Sequence, residues 1–187
     1  MLEAGAAFVA WLGMSVVVLA DGRRGLALGI VLVTAGLAVI VFQGAGPIAA
    51  GALGVGGAAA ALRRLTHGPS GWRVMPPGST PRVVLCVAAG ILVLWISFSA
   101  TTAGDSALRF AILTVLGLSV ARVLSSDEPS TLLTAIALLA LGIAATVGIG
   151  SLSHGLGAVT QSEWPYIAAA LVAAIAGWLP VRTANVA

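Results

Sequence analysis

Long apolar runs alternate with short polar breaks along the whole chain. Seven runs reach or approach the length of about 17–25 residues that a helix needs to cross a bilayer. We predict helices for all seven, because a backbone in lipid must satisfy its hydrogen bonds within its own segment. None of the runs shows the strict alternation of apolar and polar residues that a membrane β-barrel requires. The runs lie at about 4–20, 25–42, 45–62, 83–100, 107–124, 130–150 and 165–181.

The breaks between the runs contain residues that start and stop helices. The "DGRR" of residues 21–24 predicts a tight turn, and Pro47 after "QGAG" predicts a helix start. Pro129 in "SSDEPS" fits the first turn of another helix. Trp164 and Tyr166 in "EWPY" lie where an interfacial aromatic belt is expected.

Composition indicates a membrane protein. Of the 187 residues, 59% are hydrophobic and 8% are charged, whereas a soluble domain carries about 25% charged residues. So few charges could not cover the surface of a soluble protein. We therefore predict a single all-α domain over residues 1–187, a polytopic transmembrane helix bundle of about seven spans in a lipid bilayer.

A faint internal repeat offers a second description of the same bundle. The segments "AGLAV" (35–39), "AGILV" (89–93) and "LGIAA" (141–145) each lie in the first helix of a predicted pair. On this description, one lead helix precedes three helical hairpins. Chance similarity among helices rich in Ala, Gly and Leu explains the three segments equally well.

The distribution of arginine predicts the orientation. If the seven spans alternate in direction, eight of the nine arginines fall on one side of the membrane. Short cytoplasmic loops carry the Lys and Arg excess of membrane proteins. We therefore predict that the N-terminus is outside and the C-terminus is cytoplasmic. The absence of lysine beside many Ala, Gly and Arg residues points to a GC-rich bacterium, and hence to a bacterial plasma membrane. The eight arginines are Arg23, Arg24, Arg63, Arg64, Arg73, Arg82, Arg122 and Arg182.

The longest polar stretch, residues 63–82, becomes the main cytoplasmic loop in this topology. One interpretation is that its charge only enforces the orientation. The other is that apolar residues such as Trp72 let the loop lie on an anionic membrane surface or dock a cytoplasmic partner. The basic residues of this loop are Arg63, Arg64, Arg73 and Arg82.

The fifth run is the weak point of the seven-span prediction. Twelve residues separate Arg109 from Arg122, which is about 18 Å of helix against a hydrocarbon core of about 30 Å. Both arginines would have to reach outward to the membrane surfaces. Otherwise the helix is shielded from lipid or does not fully cross.

Small residues recur at four-residue spacing on two predicted helices. Such stripes let helix backbones approach closely in lipid. Packing within this bundle and packing against a partner subunit are both consistent with them. The stripes are Gly46, Ala50, Gly54 and Ala58 on the third helix, and Gly25 and Gly29 on the second.

Asp105 and Arg109 are four residues apart at the start of the fifth helix, acid first. This is the favourable order for an ion pair on a helix. We expect the pair at the outer surface, where Asp105 would also cap the helix N-terminus. The alternative is a place on a substrate or proton path.

No metal, cofactor or nucleic acid is predicted as a partner. His67 and His154 fall on opposite sides of the membrane, and neither has a Cys or carboxylate at ligand spacing. The single cysteine, Cys86, lies in an apolar run and is expected to be a small buried residue. The pI near 10.5 comes without lysine and without aromatic residues interleaved among basic ones, so it does not indicate nucleic-acid binding.

The predicted topology excludes one class of enzyme. "GPSG" (68–71) is similar to the GxSG motif of rhomboid intramembrane proteases, and "SHGLG" (153–157) is similar to their later His-containing motif. A nucleophile and its base must come within about 3 Å of each other. The predicted topology places Ser70 and His154 on opposite sides of the membrane, so we predict that the chain is not an enzyme.

These observations favour a non-catalytic integral membrane protein, a structural or accessory subunit of a larger bacterial membrane complex. Partner subunits or a second copy of the chain would then pack against it. The alternative is a small-solute transporter or a substrate-binding membrane component. No Asp, Glu, His or Lys lies in the middle of a predicted span, which argues against proton or cation coupling but not against transport of a neutral solute.

Overall fold

A computed structural model describes residues 1–66, 80–99, 106–125, 129–153 and 164–178. These residues form seven α-helices and no strand. The predicted all-α helix bundle is therefore confirmed, and each of the seven apolar runs coincides with one helix. The helices are α1 (Leu2–Leu19), α2 (Arg23–Ala45), α3 (Pro47–Thr66), α4 (Thr80–Ser99), α5 (Ser106–Ser125), α6 (Pro129–Ser153) and α7 (Trp164–Trp178).

Five of the described helices, α1 to α5, are long and apolar enough to cross a membrane. In α6 and α7 the described apolar portions are shorter and run over Thr131–Thr146 and Pro165–Ala176. A multi-span membrane protein is thus supported by length and composition. That α6 and α7 also cross stays a prediction.

The turn between α2 and α3 corrects one part of the predicted small-residue stripe. Gly46 does not lie on the third helix but in the turn before it, since α2 ends at Ala45 and α3 begins at Pro47. Its φ of +91° is a conformation that favours glycine. Proline follows naturally at the first helical position, because its fixed φ suits a helix and its missing N–H would be unpaired there.

Glycines and alanines hold α1 against α2. A Cβ atom placed on Gly13 would lie 2.6 Å from the backbone nitrogen of Val33, and one on Gly29 would lie 2.8 Å from the carbonyl oxygen of Gly13. On Gly36, a Cβ atom would lie 2.8 Å from the backbone nitrogen of Ala10. The two backbones are therefore in contact, which is how helices gain packing energy in lipid.

Two further glycines attach α3 to its neighbours. Gly57 packs on the side chain of Thr34 in α2, and a Cβ atom on Gly56 would lie 2.7 Å from Cα of Ala170 in α7. Thr34 is buried, and its hydroxyl donates a hydrogen bond of 2.7 Å to the carbonyl of Ile30 in its own helix. Because that hydroxyl is satisfied locally, α3 can cover it without leaving a polar group unpaired.

Helices α1 to α5 run in alternating directions. Contacts bring Asp21 after α1, Arg82 at the start of α4 and Arg122 near the end of α5 to the same end of the bundle. The C-terminus of α3, with Arg63 and Arg64, returns to this end because α3 packs antiparallel on α2 after a one-residue turn. We call this end the arginine end.

Tyr166 departs from the sequence prediction. The sequence predicts that it lies in an interfacial aromatic belt, but only 2% of its surface is exposed. The first turn of α7 places its tyrosine in the hydrophobic core of the bundle. The prediction for Cys86 is confirmed, since it is a free, buried cysteine.

Candidate functional site between helices α1, α4 and α5

An ionic cluster joins three helices at the arginine end. Asp21 lies in the turn after α1, and its carboxylate accepts hydrogen bonds from Arg82 at 3.2 and 3.3 Å and from Arg122 at 2.5 Å. The Nη2 atom of Arg122 also donates to the carbonyl oxygen of Ala20 at 3.2 Å. The cluster therefore ties the α1–α2 turn to the start of α4 and the last turn of α5.

Among the described residues, this cluster carries more positive than negative charge. Two guanidinium groups share one carboxylate, and the Arg122 side chain is only 2% exposed. Its Nε atom has no hydrogen-bond partner among the described residues. Asp21 and Arg82 are each about one-third exposed, so this part of the cluster lies at the surface of the bundle.

This pairing resolves the difficulty of the fifth helix. The sequence left alternatives for Arg122: an outward reach to the membrane surface, or a helix that is shielded from lipid or does not fully cross. Its side chain lies inside the bundle and pairs with Asp21 there. Helix α5 has 20 residues, Ser106–Ser125, which is about 30 Å at 1.5 Å per residue. The helix is thus long enough to cross, with Arg122 shielded from lipid by protein.

Polar and sulfur contacts continue from the cluster toward the middle of the bundle. The hydroxyl of Ser119 lies 3.6 Å from the sulfur of Met14, and both residues are fully buried. The indole N–H of Trp11 donates to the carbonyl oxygen of Cys86 at 3.4 Å. These contacts fasten α1 to α5 and to α4 at two depths.

Trp11 packs directly on α4. A Cβ atom placed on Gly90 would lie 2.6 Å from the Trp11 Nε1 atom, so any larger residue here would force the indole to shift. Phe8, one turn before Trp11, stacks on it with ring centroids 5.3 Å apart. The two rings form the wall of a cavity on the side away from the arginine end.

The cavity has a volume of about 340 Å³ and lies between α1, α4 and α5. None of the described residues that line it is charged, and four of them are aromatic. The aromatic residues are Phe8, Trp11, Phe98 and Phe110; the others that shape it are Ala4, Ala7, Val87, Gly90, Ile91, Leu94, Ser106 and Ala107.

The basic residues predicted for the main loop lie on helices where the structure describes them. Arg63 and Arg64 belong to the last turn of α3, which extends to Thr66, and Arg82 belongs to the first turn of α4. Arg64 is 4% exposed, and its Nη2 atom has no hydrogen-bond partner among the described residues. Arg73 lies outside the described residues.

The small-residue stripe of α3 does not make the tight contacts of that helix. A Cβ atom added to Gly54 would meet nothing within 4 Å, and Ala58 is exposed. Ala50 is 9% exposed. The close contacts are made instead by Gly56 and Gly57, whose spacing gave no signal in the sequence.

The shorter stripe on α2 lies inside the bundle. Gly25 is buried in the first turn of the helix, and Gly29 is in contact with Val17 of α1. These two residues therefore pack within the chain.

The structure describes only part of the predicted Asp105–Arg109 pair. Arg109 is partly buried in the first turn of α5, whereas Asp105 lies outside the described residues. The same holds for Ser70, His67 and His154. Within the described part of the chain, no three His, Cys, Asp or Glu residues lie close enough to hold a metal ion.

Asp21 belongs to the site, although the sequence analysis assigned it no role there. A signal existed, because Asp21 is one of few acidic residues on the side where eight arginines were predicted. Pairing it with Arg122 required the fold, since 101 positions separate the two residues in the chain. No protein-family model, curated protein or solved structure matches this chain, so its function must be inferred from its own residues.

Proposed function

We propose that this chain is a non-catalytic integral membrane protein, an accessory or structural subunit of a larger complex in a bacterial plasma membrane. The arginine end would face the cytoplasm. The observation that carries the proposal is the position of α4. Only Cys86, Gly90 and Ser97 of this helix are buried, so α4 borders the bundle without being enclosed by it.

The outer face of α4 is suited to a partner helix. Four of its exposed residues follow one another at spacings of three and four and lie opposite the buried Cys86 and Gly90. Spacing of this kind aligns side chains along one stripe, which can interlock with a second helix. The four residues, which we call the α4 outer face, are Leu85, Ala88, Leu92 and Trp95.

The charged groups also support a structural role. Asp21, Arg82 and Arg122 are engaged with one another. Ser119 and Trp11 likewise contact neighbouring helices. These contacts hold the helices together. None of the five residues forms the hydrogen-bonded pair of nucleophile and base that covalent catalysis requires.

Site-specific cross-linking tests the subunit proposal. A photoreactive residue replaces Leu92 on the α4 outer face, and a matched control replaces Ile175, which is 60% exposed on α7. We expect one protein adduct in the native host from position 92 and none from position 175. Adducts to lipid alone from position 92, together with a stable chain that purifies by itself, would contradict the proposal.

The cavity favours a second candidate function, a substrate-binding or small-solute-carrying membrane component. Its volume of about 340 Å³ lies within the range of small-molecule sites, roughly 300–1,000 Å³. Its aromatic and aliphatic lining suits an apolar molecule. This candidate predicts that the isolated chain is stable and that its melting temperature rises with an apolar ligand.

A further inference from the structure

The cavity between α1, α4 and α5 has a closed end at mid-depth. There Trp11 packs on Gly90 and hydrogen-bonds across to Cys86, which brings α1 and α4 together. Toward the other end, the lining continues to Ala4, Phe98 and Ser106, near the helix ends that lie away from the arginine end. The two helices thus leave a crevice above the Trp11–Gly90 contact.

The length of the crevice is close to that of one leaflet of a bilayer. Above the Trp11–Gly90 contact its lining on α4 continues to Phe98, a rise of about 12 Å along a helix. Half of the hydrocarbon core measures about 15 Å. A crevice of this length covers most of one leaflet.

The crevice opens toward lipid. Phe8, Ile91 and Phe98 line it, and each also exposes more than half of its surface on the outside of the bundle. In a protein whose helices α1 to α5 are apolar enough to cross a membrane, that outside surface faces hydrocarbon. An occupant can therefore enter sideways without passing through water.

The chemistry of the lining selects an apolar chain. Trp11 and Ser106 carry the only polar side-chain groups of the described lining, and the Trp11 N–H is already bonded to Cys86. A polar solute would lose its hydrogen bonds with water and find almost none here. A hydrocarbon chain has no such penalty and gains dispersion contacts with the four aromatic rings.

We propose that this crevice binds one acyl chain of a membrane phospholipid from the leaflet farther from the arginine end. The bound chain fills the gap between α1 and α4 and so completes the attachment of α4. The inference goes beyond the subunit proposal and does not depend on it. It deepens the second candidate function, because it names the class of ligand that the cavity would bind.

Counting retained phospholipid tests the inference. The chain is purified in a mild detergent, and native mass spectrometry determines the number of phospholipids that stay bound. Ala107→Phe fills the crevice, and Ala35→Phe, at an exposed position on α2, is the matched control. We expect one phospholipid on the unaltered chain and on Ala35→Phe, and none on Ala107→Phe. Equal retention by the two variants, or none on the unaltered chain, would overturn the inference.

Trp11 provides a second measurement in a bilayer. Its emission is isolated by replacing Trp72, Trp95, Trp164 and Trp178 with Phe, and the bilayer contains phosphatidylcholine brominated near the methyl ends of its chains. We expect Ala107→Phe to lower quenching of Trp11, because the added ring displaces the chain from the crevice, while Ala35→Phe changes nothing. Equal quenching in both variants would mean that bulk lipid, rather than a bound chain, reaches Trp11, and this would contradict the inference.

The two proposals fail separately. Retained lipid without a cross-link from position 92 would remove the subunit proposal alone. A cross-link from position 92 with no lipid bound to the unaltered chain would remove the lipid inference alone.

Discussion

The Nη2 atom of Arg122 lies 2.5 Å from the Oδ1 atom of Asp21, although α1, α2 and the turn between them are far from α5 in sequence. The pair places the charge of Arg122 inside the bundle at 2% exposure. A guanidinium left alone in such a position would be strongly destabilising, since buried charges need a partner. Asp21 is therefore a stability determinant of the arginine end.

Replacing Asp21 with Asn should destabilise the protein. Removing one partner of a fully buried pair costs about 3–5 kcal/mol. Because Asp21 is about one-third exposed, we expect a smaller loss, about 2–3 kcal/mol in the free energy of unfolding. Denaturant unfolding in detergent micelles measures it. Arg82→Gln is the control and should lose about 1 kcal/mol or less, as partly exposed pairs do; equal losses would contradict this assignment.

The coupling between the two residues can be isolated. Arg122→Met removes the charge that Asp21 compensates, so adding it to Asp21→Asn should restore part of the lost stability. The same unfolding experiment gives the interaction free energy from the double-mutant cycle. Additive losses in the double variant would show that the two side chains act independently.

Gly13 tests the packing of α1 on α2, and Gly51, a helical glycine on α3 with open space around it, is the control. A Cβ atom on Gly13 would lie 2.6 Å from a backbone nitrogen, whereas one on Gly51 would meet nothing within 4 Å. We expect Gly13→Ala to lower the free energy of unfolding by about 1–3 kcal/mol through overpacking. Gly51→Ala should be neutral or stabilise by up to about 1 kcal/mol, because alanine favours the helix. A loss at Gly51 as large as that at Gly13 would contradict this account of the packing.

The two ends of α2 report the orientation. Cys86 is first replaced by Ala, and single cysteines then replace Arg24 or Gln43, whose side chains are both exposed. The cells are treated with a membrane-impermeant maleimide. We expect Gln43→Cys to react in intact cells and Arg24→Cys to react only after the membrane is opened. The reverse result would invert the orientation predicted from the arginine distribution.

Gly54→Leu separates assembly from folding. The residue has open space around it, so leucine should change the free energy of unfolding by no more than about 0.5 kcal/mol. If a partner helix approaches this face of α3, the same variant should lose the co-purifying protein seen with the unaltered chain. Gly57→Leu is the contrast, since Gly57 is packed on Thr34 and its replacement should impair folding itself. Unchanged assembly in Gly54→Leu would exclude this face of α3 as a partner surface.

The sequence by itself determined the helices and the class of protein. Apolar runs and the breaks between them are local properties, because each helix in lipid must satisfy its own backbone. Pro47 marked the start of α3 correctly for the same local reason. The clustering of arginines also predicted which helix ends lie together, and the contacts among Asp21, Arg82 and Arg122 agree with it.

Only the tertiary structure decided which small residues pack, where Arg122 points and where the crevice lies. In a chain with 24 glycines, four-residue spacing occurs on several helix faces, and only the neighbours in space distinguish Gly29 from Gly54. The partner of Arg122 and the gap between α1 and α4 are likewise properties of helices brought together from distant parts of the chain. Local pattern cannot specify them, since they depend on how far apart the packed backbones come to rest.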